Sequence, residues 1–302
     1  MEARPGLPSF SYVRASQPAE VFCLLDEHGD AAKLMMGGTD LLVRMRDGVV
    51  RPRIVIDVKH LPGMQDVAFD DQNGLTVGAA VTMNRLADHP DVRTRYPLLA
   101  QAARSVASYQ LRNRATVGGN LCNASPCADI APAALVLDGQ IVLRCIGGER
   151  RTRLEGFFCG PGQTSMQPGE YVTAVHFPVP PEGSVGTYLK LGRNRAGDLA
   201  LVSVAVLGWP DEEASSGFRF SVALGSVAPV PMRAIGAEEV LAARPPGEDA
   251  FAEAADEAQA GASPISDVRA SAVYRAAMVR NLTLRALRAV WEELRAGDES
   301  GG

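Results

Sequence analysis

What the chain lacks narrows its function before any motif is read. Its five cysteines, Cys23, Cys122, Cys127, Cys145 and Cys159, are odd in number and include no C-x-x-C pair. Their spacing fits neither a zinc site nor an iron–sulfur cluster, and such usage points to a reducing compartment. The four histidines, His28, His60, His89 and His176, are scattered and form no metal motif. No run approaches the ~20 apolar residues that a membrane span requires. The opening residues Met1 to Gly6 lack the apolar core of a signal peptide, so a cytoplasmic location is expected. No repeat of the solenoid kind is present. Any redox chemistry would therefore need a bound organic cofactor.

What is present is ordinary in bulk. The 302 residues are 46% hydrophobic and 22% charged, which fits a soluble globular chain of two or three domains. The net charge of −5 argues against a nucleic-acid surface. The chain opens with a helix from Gln17 and Pro18, a short strand at Ala32 to Met36, a helix at Leu41 to Arg44 capped by Thr39 or Asp40, and a strand at Arg53 to Val58. This predicts a βαβ-like lobe of about sixty residues, 1–58. A second lobe, 59–178, carries strands at Leu75 to Ala79, Gln140 to Arg144 and Val172 to Phe177, and helices beginning at Thr82, Pro97 and Ile130. Pro178-Val179-Pro180-Pro181-Glu182-Gly183 marks a boundary. Beyond it, at 184–296, three strands should pair antiparallel: Gly186 to Leu191, Ala200 to Val206 and Phe218 to Leu224. Helices follow, the last a long amphipathic one with Met278, Leu282, Leu287 and Trp291 on its apolar side. A disordered tail is expected at 297–302.

Two glycine patches carry most of the information. Met36-Gly37-Gly38-Thr39-Asp40 follows an apolar run, and Thr116-Val117-Gly118-Gly119-Asn120 lies about eighty residues on, after Arg112-Asn113-Arg114. Paired glycines beside a small hydroxyl or amide suit a backbone loop wrapped closely round a diphosphate, because glycine admits positive φ and close approach to main-chain N–H groups. Neither patch has the G-x-x-x-x-G-K-S/T spacing of a P-loop or the G-x-G-x-x-G spacing of a Rossmann site. A lone Gly-Gly reads equally well as a plain turn. Two of them, followed by Asn120, Ser125 and Asp129, suggest a dinucleotide held between two lobes.

At these patches the chain resembles the FAD-binding medium subunit of molybdenum hydroxylases of the carbon monoxide dehydrogenase and xanthine dehydrogenase type. The likeness continues through Asn123-Ala124-Ser125-Pro126-Cys127-Ala128-Asp129, Gly160-Pro161-Gly162-Gln163-Thr164, Tyr188-Leu189-Lys190-Leu191-Gly192-Arg193 and Ser263-Pro264-Ile265-Ser266-Asp267-Val268-Arg269. It implies an α+β chain: a two-lobed FAD-binding domain of the vanillyl-alcohol oxidase-like (PCMH) type, then an α+β C-terminal domain with a three-stranded antiparallel sheet and helices. It implies FAD held by Met36, Gly37, Gly38, Thr39 and Asp40 from one loop and Thr116, Gly118, Gly119 and Asn120 from the other. Asp129 matches a carboxylate that contacts FAD, Val172 an apolar position beside the adenine, and Lys190 a flavin-tuning lysine that would raise the reduction potential. No other catalytic residue and no metal ligand is expected.

The implied partners are a large molybdopterin subunit that oxidises the substrate and a small subunit with two [2Fe–2S] clusters, assembled as a dimer of heterotrimers. Some relatives carry an inserted four-cysteine segment for an extra [4Fe–4S] cluster. The short stretch between Gly119 and Lys190 argues against that here. Residues 191–198 match a loop that controls access to the flavin in NAD-reducing relatives, and this version does not specify NAD, a quinone or another acceptor. A free-standing flavin oxidoreductase of the same fold, or a non-catalytic nucleotide-binding protein, remain alternatives. The former lacks a convincing histidine or tyrosine acid–base group beside the flavin. Cys122 and Cys127 read as buried thiols rather than a redox dithiol. Arg112 and Arg114 suit either diphosphate charge or solvent.

Overall fold

The structure, a computed structural model, describes residues 6–194 and 197–300, with side chains to residue 296. Three strands, Ser11–Arg14, Ala32–Met35 and Ile54–Asp57, form a parallel sheet with Ile54–Asp57 at its centre. All four residues of that central strand are buried, as expected of a parallel strand covered on both sides. The helix Pro18–His28 connects the first two strands, with Pro18 in its opening turn where no N–H is needed. The edge strand Ser11–Arg14 escapes the sequence reading because Ser-Tyr-Val-Arg shows no clear alternation.

A five-stranded antiparallel sheet follows in the order Val67–Asp70, Gly74–Gly78, Tyr171–Phe177, Gln140–Cys145, Gly148–Arg153. Its three central strands were legible as apolar runs. Neither edge strand, Val67–Asp70 nor Gly148–Arg153, is read from the sequence; in the latter Glu149, Arg150, Arg151 and Arg153 are all exposed and give no apolar signal. Charge on an edge is one way a sheet avoids pairing with other chains.

The second glycine patch is a helix rather than an open loop. Val117–Cys122 is helical, and Thr116 is its N-cap, its Oγ1 accepting from Gly119 N at 3.2 Å. Two glycines in one short helix argue against helix by propensity, at about 1 kcal/mol each. Docking of the backbone offsets that penalty. Gly118 N donates to Ala79 O at 2.9 Å and Val117 N to Val81 O at 3.0 Å, which fixes the turn against the end of strand Gly74–Gly78. The corresponding expectation at the first patch fails in one detail. Asp40 occupies the N-cap position of helix Leu41–Arg46, but its side chain makes no capping bond.

The C-terminal part holds the antiparallel strands Val185–Leu191, Val202–Pro210 and Phe218–Gly225, extended by a fourth, two-residue strand, Met232–Arg233. Successive side chains of a strand point to opposite faces, and here both faces are covered. Val202, Val204, Val206, Val222 and Leu224 enter a core shared with helices Ile235–Ala243, Glu248–Gly261 and Ala272–Ser300. Ala205, Leu207 and Ala223 enter the core of the preceding 180 residues. Leu287 of the long amphipathic helix is fully buried and Trp291 partly so, consistent with a core role. That helix runs to Ser300, and residues 301–302 of the expected tail lie outside the described ones.

The dense docking around Gly118 gives a stability test. A Cβ there would lie 2.6 Å from Ala79 Cβ and 2.9 Å from Ala79 O. Gly118→Ala should destabilise the protein by about 1–3 kcal/mol, as overpacking does. Chemical denaturation of wild type and variant measures it, and coincident unfolding curves would contradict the close approach.

Candidate cofactor-binding site

The two glycine patches meet although eighty residues separate them. A Cβ on Gly37 would sit 2.2 Å from the carbonyl oxygen of Arg114, so the first loop lies directly on the backbone that leads into the second. Gly38 has φ +74°, the left-handed conformation that turns the chain from strand Ala32–Met35 into helix Leu41–Arg46. Asn123 Nδ2 donates to Asp40 Oδ1 at 3.3 Å and ties the loops together at the surface. Asp40 thus spends its carboxylate across the gap instead of on its own helix.

Between the loops lies a cleft of about 490 Å³. Met36, Gly37, Gly38, Thr39 and Asp40 form one wall, and Thr116, Gly119 and Asn120 another. Val172, 1% exposed, lies in the wall from the five-stranded sheet. Lys33 and Arg44 bring positive charge to the rim. Asn120 Oδ1 is buried and has no hydrogen-bond partner within the protein. An unpartnered buried amide oxygen is costly unless a ligand or water completes it. Gly118 does not line this cleft. It serves the packing described above.

Several residues of the cleft carried no assignment from sequence. Gly162 and Thr164 line it because Gly162 N donates to Ala124 O at 2.9 Å, folding that segment over the second patch. Their only sequence signal was the family-like stretch Gly160 to Thr164. Cys122 also borders the cleft, and burial pushes its thiol up to about 12, which disfavours the thiolate. Both Cys122 and Cys127 are free.

Arg112 takes a structural role. It donates to Asn84 Oδ1 at 2.9 Å, to Val106 O at 2.9 Å and to Ala107 O at 3.2 Å, holding the segment that precedes the second patch. Ala107 on that segment has φ +41°, an uncommon conformation for a residue with a Cβ. Arg114 is exposed.

Lys190 lies apart from this cleft, at a second one of about 440 Å³, while Asp129 lines neither cleft and is reached only through its bonds to Lys190 and Tyr188. Lys190 lines it together with Gln101, Ser105 and Tyr188, and the loop residues Arg193, Asn194 and Asp198 close its far side. Lys190 Nζ donates to Asp129 Oδ2 at 2.7 Å and to Ser105 O at 2.9 Å. Asp129 is 6% exposed. Burial raises its pKa above the ordinary carboxylate value, opposed by the charge and hydrogen bond of Lys190. Arg193 grips Asp198 through its backbone N–H and its guanidinium, and Asp198 is held well below the usual carboxylate range. Arg195 and Ala196 of this loop lie outside the described residues.

Residues 8–180 match the family described as the FAD binding domain in molybdopterin dehydrogenase, and residues 187–290 match the CO dehydrogenase flavoprotein C-terminal domain. The carbon monoxide dehydrogenase medium chain of Hydrogenophaga pseudoflava is 32% identical over 94% of this chain and 98% of its own length. The xanthine dehydrogenase FAD-binding subunit of Escherichia coli is 30% identical over 92% of this chain and 94% of its own. The solved carbon monoxide dehydrogenase from Hydrogenophaga pseudoflava, in a form lacking the Mo-pyranopterin moiety of the molybdenum cofactor, superposes with a TM-score of 0.90 at 32% identity, covering 95% of this chain and 99% of that one. The sequence, the fold and the paired glycine loops agree: this chain belongs to the FAD-binding medium-subunit family of the molybdenum-containing carbon monoxide and xanthine dehydrogenases.

Proposed function

We propose that this chain binds FAD across its two clefts and serves as the electron-transfer subunit of a molybdenum hydroxylase complex. The observation that carries the reading is the convergence of both glycine patches on one cleft, with Asn120 Oδ1 buried there and unpartnered. The residues fit the cofactor. Gly37, Gly38, Gly119 and Thr116 supply close backbone approach for a diphosphate, Lys33 and Arg44 supply charge of the right sign, and Val172 supplies an apolar surface for the adenine. Met36, Thr39, Asp40 and Asn120 complete the diphosphate walls, Gly118 fixes the loop behind them, and Asp129 and Lys190 serve the flavin end. The FAD-binding domain spans 1–178 and the C-terminal domain 184–296.

When bound, FAD supplies a centre that stores two electrons yet accepts them singly, and the protein supplies binding, orientation and electrostatics. The electrons come from [2Fe–2S] clusters on a small partner subunit, after a large molybdopterin subunit has oxidised the substrate, and leave to an external acceptor. The assembly is a cytoplasmic dimer of heterotrimers.

Gly119 separates cofactor binding from folding. A Cβ there would meet only Thr116 Oγ1, at 2.8 Å, so its cost to the fold is about that of one capping bond, ~1 kcal/mol. Gly119→Val should therefore leave the chain folded while its side chain occupies the cleft and FAD is lost. Flavin absorbance after gel filtration measures this, and wild-type flavin content in the variant would refute the assignment.

A second expectation concerns the division of labour. The purified chain, yellow with FAD but free of molybdenum and iron, should not bleach when mixed with the organic substrates that the whole complex oxidises. Substrate-dependent bleaching of the isolated chain would support a free-standing oxidoreductase instead.

A further inference from the structure

Tyr188 and Lys190 lie two residues apart on strand Val185–Leu191, so both point to the same face, the one turned toward the FAD-binding part. The Tyr188 hydroxyl donates to Asp129 Oδ1 at 3.3 Å, while Lys190 Nζ donates to Asp129 Oδ2 at 2.7 Å. Each carboxylate oxygen thus has its own donor from one strand. The Tyr188 backbone N–H is anchored to Gln101 Oε1 at 3.0 Å, and Tyr188 is 8% exposed. Phenol, ammonium and carboxylate form one cluster: Tyr188 and Lys190 line the 440 Å³ cleft, and the buried Asp129 carboxylate lies behind them.

We propose that Tyr188 is a positioning residue for the flavin: its hydroxyl fixes the Asp129 carboxylate, and Asp129 in turn holds the Lys190 ammonium at the cleft wall. The inference rests on the reading of this cleft as the flavin end of the site. Among the described residues, the titratable groups that face Asp129 are Lys190 and Tyr188; the neutral hydroxyls of Ser105 and Ser203 lie against the phenol. Burial drives the phenol well above its ordinary range, so Tyr188 stays a donor at every working pH.

The cluster is neutral while Asp129 is ionised and carries one positive charge once Asp129 takes up a proton. A positive charge beside the cleft favours the reduced flavin, so the flavin midpoint should step upward as Asp129 protonates. Removing the phenolic donor leaves Asp129 Oδ1 buried and unpaired. The proton affinity of Asp129 then rises, and the step moves to higher pH by about one unit, the worth of a hydrogen bond to a charged group.

The test is a redox titration of the flavin in the assembled complex from about pH 5 to about pH 9. Tyr188→Phe should keep wild-type FAD content and show the step about one pH unit higher. Asp129→Asn should abolish the step and hold the midpoint at its raised value. Lys190→Met should lower the midpoint above the step, since it removes the one positive charge of the cluster. Ring-fluorinated tyrosine at position 188 is a stronger donor of nearly the same shape and should move the step to lower pH. That shift decides the matter even if the phenylalanine variant does not fold. A step unmoved by fluorination, or a Tyr188→Phe profile that overlays wild type at full FAD content, overturns the proposal. A wild-type complex without FAD would instead overturn the flavin reading on which the proposal rests.

Discussion

The C-terminal sheet has no free face, and the geometry of the site follows from that. Strand Val202–Pro210 is buried from Val202 through Gly208. Its valines feed the helical core of the C-terminal part, and its alternate residues Ala205 and Leu207 feed the core of the FAD-binding part. Each fully buried valine or leucine contributes roughly 1.5–3 kcal/mol relative to exposure, so a shift of one residue in register would forfeit packing on both sides at once. The neighbouring strand Val185–Leu191 is locked to it by a continuous antiparallel ladder, Lys190 opposite Ser203. That lock is what delivers Tyr188 and Lys190 to Asp129.

The two clefts use different physics. The first is built from backbone: a positive-φ turn at Gly38, a loop pressed on the Arg114 carbonyl, and a helix turn capped by Thr116, where Gly119 presents no side chain to the cleft. Side-chain charge stays at the rim. At the second, a carboxylate and an ammonium are taken out of water together. A buried carboxylate survives only when both oxygens are satisfied, and here a lysine and a tyrosine each take one. The first arrangement suits a fixed diphosphate charge. The second suits a ring whose charge changes with its redox state.

Much of this was legible from residues alone where the signal is local. Pro18 marked a helix start, the β-branched run Ile54-Val55-Ile56 marked a buried strand, and the glycine patches marked the places where backbone comes close to other backbone. Two kinds of failure stand out among the elements the sequence does not reveal. Ser11–Arg14 and Gly148–Arg153 are edge strands whose residues face solvent, so partner strands define them and apolar patterning does not. Val117–Cys122 is a helix against its own glycine content because its backbone is docked on Ala79 and Val81, contacts that propensity does not contain.

The sequence by itself determined the chemistry available: two paired-glycine patches, a lysine and an aspartate in family-like settings, and no metal-binding pattern. It left open which glycine does what. Only the tertiary structure divided Gly118, which packs on Ala79, from Gly119, which faces the cleft. It also turned Arg112 inward to Asn84, sent Asp40 across to Asn123, and added Tyr188 to Asp129 and Lys190. The physical reason is common to all of these. Each partner lies between 28 and 83 residues away along the chain, so its identity depends on sheet register and on the packing of one part against the other, which no local pattern encodes.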